Sequence, residues 1–166
     1  TRRLGGSQDD DEDLVVCKKD EHGRWTRPTS ISPNINSRLN EGTCSISADG
    51  RQLIFTSCIG RRGYGSCDLF ESRKIGEEWI IPVNLGPEIN SAAWESQPSL
   101  SADGRMLFFV SDRKGGIGSK DLYVSYKMED NRWARAENLG DQINTAYEEI
   151  SPFIHVNGRT LFFASN

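Results

Sequence analysis

A period of 54 residues runs through this chain and restricts its fold more than any other property. Trp25, Trp79 and Trp133 recur at that interval, and the stretch from Ile35 to Ser57 aligns without a gap on Ile89 to Ser111 and Ile143 to Ser165. Eight columns are identical in all three copies: Ile35/Ile89/Ile143, Asn36/Asn90/Asn144, Glu41/Glu95/Glu149, Gly50/Gly104/Gly158, Arg51/Arg105/Arg159, Leu53/Leu107/Leu161, Phe55/Phe109/Phe163 and Ser57/Ser111/Ser165. A repeat of this length is one supersecondary unit that buries its apolar face only by stacking on its neighbours. The chain therefore reads as an array, one domain over 1–166 with repeats at about 1–57, 58–111 and 112–166.

Each unit reads as four short strands. Apolar runs rich in Phe, Val, Ile and Tyr are separated by turn signals every 8 to 15 residues, and no stretch keeps a helical period. In the middle copy, strand A is expected at about Gln97 to Ser101, then a tight Asp103-Gly104 turn of the kind that closes hairpins. Strand B follows at about Arg105 to Ser111 and strand C at about Asp121 to Lys127. Strand D starts near Trp133 and runs into Asn138-Leu139-Gly140, before Asp141 to Glu148 cross to the next unit. Four antiparallel strands per unit, repeated radially, are the signature of a β-propeller blade. The competitor, a linear β-solenoid, usually has shorter coils and no hairpin turns. The fold class is thus all-β, with Leu107, Phe109 and their equivalents expected between neighbouring blades.

Composition sets limits on partners. The 166 residues carry 20 Lys plus Arg against 24 Asp plus Glu, a net charge of -4, which argues against nucleic acid as the main partner because phosphate binding needs clustered positive charge. No apolar run approaches the roughly 18 residues that a membrane-spanning helix takes. With no initiator Met and no signal-like segment, the chain is expected to be excised from something longer.

The run ESQPSLSADGRMLFFVSDRKGGIGSKDLYVSYKMEDNRWARAENLGDQINT, which starts at Glu95, resembles the WD40-like or PD40 repeat of TolB-type propellers. More narrowly, it is similar to the version found in OmpA-family envelope proteins of Bacteroidetes, which include the PorE-type lipoprotein of the type IX secretion system. The resemblance covers essentially the whole chain, and the first copy departs most, with Cys44 where Pro98 and Pro152 stand. It implies a propeller module in the periplasm, associated with the outer membrane, with protein partners in the envelope and peptidoglycan reached only through domains outside this chain.

The order of strand signals is C-D, A-B-C-D, A-B-C-D, A-B: a half-blade, two full blades and a half-blade. Propellers close with about 4 to 8 blades, so three units need completion. Either flanking sequence supplies the missing strands, or two copies join head to tail, A-B of one completing C-D of the other. Unpaired terminal strands would otherwise expose backbone.

One rim is expected to gather the start of strand A (Glu41, Glu95, Glu149), the end of strand B (Ser57, Ser111, Ser165) and the start of strand C (Asp13, Asp68, Asp121). Arg62, Arg113 and Lys114 sit in loops on that rim. Two readings apply: a recognition face for a protein or glycan, or a repeated hydrogen-bond set tying blades together. Residues that break the repeat are the better binding candidates, and Trp94 and Tyr147 in the crossovers are the aromatic ones, suited to stacking on sugars or anchoring partners. The run Asp9, Asp10, Asp11, Glu12 and Asp13 offers clustered carboxylates of a kind calcium takes. It lacks EF-hand spacing and reads rather as a solvated loop, so no metal and no cofactor is expected.

Catalytic motifs are missing: there is no GxSxG, HExxH, phosphate-binding loop or CxxC, and neither His22 nor His155 has a partner at useful spacing. The repeated SADG element is not a sialidase Asp-box, because its Asp and Gly are adjacent. The expectation is a non-catalytic interaction or scaffold module. The alternative is a propeller hydrolase or lyase acting on glycans or peptides, with rim carboxylates as acid and base. Of the four cysteines, Cys58 and Cys67 flank one B-to-C loop in columns that hold Asp112 and Lys120 in the next unit. The opposite charges suggest columns that face each other, so a disulfide there is reasonable and would imply an oxidising compartment; four reduced thiols are the alternative. Cys17 and Cys44 are expected to be unpaired.

Overall fold

The computed structural model describes residues 12–58 and 62–166. The described residues are all-β, with thirteen strands among them: β1 (Val15–Val16), β2 (Thr29–Ser30), β3 (Asn40–Ile46), β4 (Gln52–Cys58), β5 (Cys67–Ile75), β6 (Glu78–Trp79), β7 (Val83–Asn84), β8 (Glu95–Leu100), β9 (Met106–Ser111), β10 (Asp121–Tyr126), β11 (Glu137–Asn138), β12 (Glu149–Ile154) and β13 (Leu161–Ser165). Strands β8 to β11 form one antiparallel four-stranded sheet in sequence order, a complete blade. Strands β3, β4 and β5, with β6 and β7 both on β5, form another. The pair β1-β2 supplies only strands C and D of a blade, and β12-β13 only A and B. The chain is a partial β-propeller, with the half, full, full, half phase that the repeat predicts.

The A-to-B hairpins turn where expected. Gly50, Gly104 and Gly158 have φ of 68°, 69° and 66°, the left-handed region that glycine reaches without a Cβ penalty. Ser101 Oγ donates to Asp103 Oδ1 (2.6 Å) and accepts from the Met106 amide (2.8 Å). In the third copy His155 takes the serine's place, its Nδ1 accepting from the Asn157 amide (3.2 Å).

Strand A differs from the expectation in a useful way. It begins at Glu95, two residues early, and its register against β9 shifts between Ser96 and Ser99. The same bulge recurs between Glu41 and Cys44 and between Ile150 and Phe153. Gln97 and Ser151, one repeat apart, hold φ of 53° and 57° within it. Bulges re-aim backbone groups, and here the freed amides stitch one blade to the next. Gln97 N donates to Thr43 Oγ1 (3.0 Å), Ser151 N to Gln97 Oε1, Leu100 N to Ser45 Oγ (2.9 Å) and Ile154 N to Ser99 Oγ (2.9 Å). Strand D is shorter than expected. Pro82, which has no N–H to give a ladder, lies between β6 and β7.

Apolar layers fill the space between sheets. Ile54 and Leu69 of the first complete blade pack with Leu107, Phe109, Tyr123 and Trp133 of the second, around Ile89 from the crossover. Leu14, Ile35, Leu53, Phe55, Phe70 and Trp79 form the layer before it, and Phe108, Val124 and Ile154 anchor the one after. At about 25 cal/mol per Å² of apolar surface buried, these layers rather than any single core hold the blades in place.

Candidate functional site: the loop rim

Register brings the expected rim residues together. Glu95 and Asp121 both lie opposite Ser111, Glu41 and Asp68 lie opposite Ser57, and Glu149 lies opposite Ser165. All three glutamates are fully buried at the ends of their sheets. Each closes the crossover that precedes it. Glu95 accepts from the Ser91 amide (2.8 Å), the Ser91 hydroxyl (2.6 Å) and the Ser111 hydroxyl (2.7 Å). Glu149 accepts from the Thr145 amide (2.8 Å) and hydroxyl (2.7 Å) and the Ser165 hydroxyl (2.8 Å). Glu41 repeats the pattern with Ser37 and Ser57. For Glu149 burial alone would raise the pKa, but these donors outweigh it and hold the carboxyl below its ordinary range.

The aspartates close the other loop. Asp68 accepts from the amides of Tyr64 (2.7 Å) and Gly65 (3.0 Å) and from Asn84 Nδ2 (2.7 Å). Asp121 holds the amides of Ile117 and Gly118 and Asn138 Nδ2 in the same way. Asn84 in turn accepts from Asn90 Nδ2 (2.8 Å), whose side chain bonds both the amide and the carbonyl of Leu69. Asn144 and Asn138 reproduce this around Leu122. The asparagine column, visible in the sequence only as an identity, thus plugs the crossover into strand C.

Arg113 turns inward. Its guanidinium donates to the Ile89 carbonyl, to Glu95 Oε1 (3.1 Å) and to Ser111 Oγ (2.9 Å), and it lies over the Tyr123 ring at 4.6 Å. The carboxylate of this pair is fully buried and the arginine side chain 17% exposed, and the charge-assisted bonds tie the B-to-C loop to the crossover. Arg62 is exposed with a φ of 25°. Tyr147 is 65% exposed, and Trp94 is half-buried with the Lys120 ammonium 5.7 Å from its ring. Two apolar residues that sequence reading passed over, Tyr64 at 52% and Ile117 at 44% exposure, occupy equivalent places in the two B-to-C loops. Those loops fold over the crossovers, close enough that a Cβ at Gly65 or Gly118 would collide with the Ala93 or Tyr147 carbonyl.

A disulfide joins Cys58 to Cys67, which are directly opposite on β4 and β5 with Cα atoms 4.0 Å apart. Cys17 and Cys44 are free and exposed. The columns of Cys58 and Cys67 thus face each other, as the opposite charges of Asp112 and Lys120 suggest, although those two side chains do not pair with one another. Asp112 accepts from the Trp94 amide (2.8 Å), and Lys120 pairs with Glu148 (3.3 Å), because each side chain reaches the crossover beside it before it reaches across the loop. Asp9, Asp10 and Asp11 lie outside the described residues. Among the described residues no group of three or more His, Cys, Asp or Glu is placed to hold a metal ion, and no helix is long and apolar enough to cross a membrane.

No protein-family model and no curated protein matches the sequence. Solved structures do match the shape. TolB from Acinetobacter baumannii superposes with a TM-score of 0.58 at 12% identity, covering 90% of this chain and 31% of that one. A putative TolB from Agrobacterium tumefaciens gives 0.57 at 16%, covering 90% and 48%. The fold is TolB-like. A puromycin hydrolase mutant complexed with PGG also matches, at 0.53 and 17%, over 92% of this chain and 24% of its own. The chain thus spans between about a quarter and a half of the proteins it resembles.

Proposed function

We infer that this chain is a non-catalytic protein-interaction segment of a larger propeller-bearing protein of the bacterial envelope, periplasmic and associated with the outer membrane, serving secretion or peptidoglycan anchoring through domains beyond it. One contrast on the rim carries the reading. The carboxylates that recur in every unit are buried and taken up by fixed internal donors, whereas the side chains that reach solvent around them are aromatic or apolar: Trp94 and Tyr147, which break the repeat, and Tyr64 and Ile117, which share one column of the B-to-C loops. A general acid or base needs a carboxyl that substrate can reach; an interaction face needs partly exposed aromatic anchors. The TolB-like fold and the Cys58–Cys67 bridge, a feature of oxidising compartments, support the envelope location.

The test is affinity capture of the intact parent protein from envelope extracts, read by mass spectrometry. The expected result is recovery of outer-membrane or secretion components, reduced at least about tenfold by Trp94→Ala with Tyr147→Ala. Capture of no component, together with turnover of a glycan or peptide panel, would overturn the reading in favour of a hydrolase.

A further inference from the structure

The two complete blades leave a cleft of about 610 Å³ between them, inside the range of roughly 300–1,000 Å³ that small-molecule sites occupy. It lies where β5 and β7 of the first blade meet the C-to-D turn and the first strand-D residues of the second. Its apolar walls are Ile80, Val83, Leu85, Met128 and Trp133. Leu85 and Trp133 also belong to the layer that packs the two blades together, which fixes one side of the cleft. The other apolar walls are particular to this joint. The column of Val83 holds Thr29 and Glu137 in the other copies, that of Ile80 holds Thr26 and Ala134, and that of Met128 holds Asp20 and Lys74. Val83 is 66% exposed and Met128 40%, so blade packing does not account for them.

Two polar groups in the walls lack partners. Trp133 is 6% exposed, and its indole Nε1 is buried without a hydrogen-bond acceptor. A buried donor left unpaired is costly and rare in a folded protein. The Lys127 ammonium lies 4.7 Å from the centre of the same ring and makes its surroundings positive. Of the arginines in the walls, Arg73 is engaged by Glu71 (2.8 Å) and Arg132 by Asp130 (2.7 Å). Arg135 is exposed, and its side chain makes no ion pair or hydrogen bond among the described residues. The acids in the walls are Glu71 and Glu88, so the three arginines leave one positive charge unmatched. That balance suits a single negative charge and opposes a dianion such as a phosphate monoester. An unpaired N–H and an unpaired guanidinium beside apolar walls fit the two oxygens of a carboxylate carried on an apolar group.

We propose that this cleft binds a small apolar monocarboxylate, an aromatic or alkyl acid. Its ring or chain lies against Ile80, Val83 and Met128, and its carboxylate accepts from Trp133 Nε1 and the Arg135 guanidinium. This goes beyond the interaction-module reading and stands or falls separately from it, because the cleft is built from none of the exposed rim residues.

The probe is 2-naphthoate, an apolar ring with one carboxylate, in equilibrium dialysis against the intact parent protein. Saturable binding is expected with a Kd below about 1 mM, and 2-naphthamide, of similar shape without the charge, is expected to bind about tenfold more weakly. Arg135→Gln alters an exposed residue and is expected to weaken 2-naphthoate binding about tenfold at an unchanged melting temperature. Trp133→Phe keeps an apolar wall and removes the donor, and its folded form is expected to show a similar loss. Trp94→Ala with Tyr147→Ala, on the rim, should leave binding as it is. No binding at about 1 mM 2-naphthoate, equal affinity for the amide, unchanged affinity in Arg135→Gln or in folded Trp133→Phe, or loss of binding in the rim variant would each overturn the proposal.

Discussion

The two complete blades hold the same strands and the same rim, yet they secure the loop mouth with different chemistry. In the first, Cys58 and Cys67 join strands B and C covalently. In the second, Asp112 and Lys120 stand in those columns and look outward to the neighbouring crossover, and the locking falls to Arg113, folded over Tyr123 and into Glu95. What the blade requires is a tie at the end of strand B. A disulfide supplies it in one blade and an ion pair on a buried carboxylate in the other.

The comparison can be broken at its strongest point first. Glu95→Ala leaves the Arg113 guanidinium and three further donors without their acceptor in a buried site, and is expected to cost about 3–5 kcal/mol. Glu149→Ala, whose carboxylate bonds Thr145 and Ser165 at the margin of the array, is expected to cost less. Urea unfolding of both variants decides this, and equal losses would show that Arg113 adds nothing. Next, Cys58→Ser with Cys67→Ser is expected to lower stability by about 2–3 kcal/mol through a freer unfolded chain, and a reductant should then have no further effect. A reductant that still destabilises the double variant would assign the effect to another cysteine. Third, Gly104→Ala places a Cβ in the left-handed region with the Gln52 side chain 2.8 Å away, for about 1–2 kcal/mol. Gly158→Ala, with only the end of Met106 near it, should sit at the low end of that range.

The smallest effect concerns acid. A carboxyl held below its ordinary value stabilises the fold fully above its unfolded pKa, near 4.5 for Glu149, and loses that contribution as pH falls through the lowered folded value. Glu149→Gln should therefore flatten the pH dependence of stability below about pH 4.5 and leave it unchanged near neutrality. A variant with the same acid limb as the parent would remove Glu149 from the account.

Much of this was legible in the sequence because repeats carry their own internal control. Three aligned copies gave the strands, their phase along the chain, the glycines at the hairpins and the shared rim of glutamates, serines and aspartates. The bulge in strand A was not legible, since Gln97 and Ser151 adopt left-handed backbone without being glycine and nothing in either residue type announces it. Nor was the inward turn of Arg113, which depends on a carbonyl 24 residues away. The asparagine plugs escaped for a related reason. Asn90 reaches Leu69 across two elements, and identity in a column says that a residue is needed without saying what it touches.

The stitch between strands A has a consequence for how such chains change length. Each joint uses a side chain and an amide 54 or 55 residues apart, and each joint is built in the same way. Loss or gain of one whole period brings equivalent partners together again, so slippage between repeats of the gene leaves every surviving joint intact. The array can lengthen or shorten by recombination in single steps, while an insertion of any other size must be absorbed in a loop.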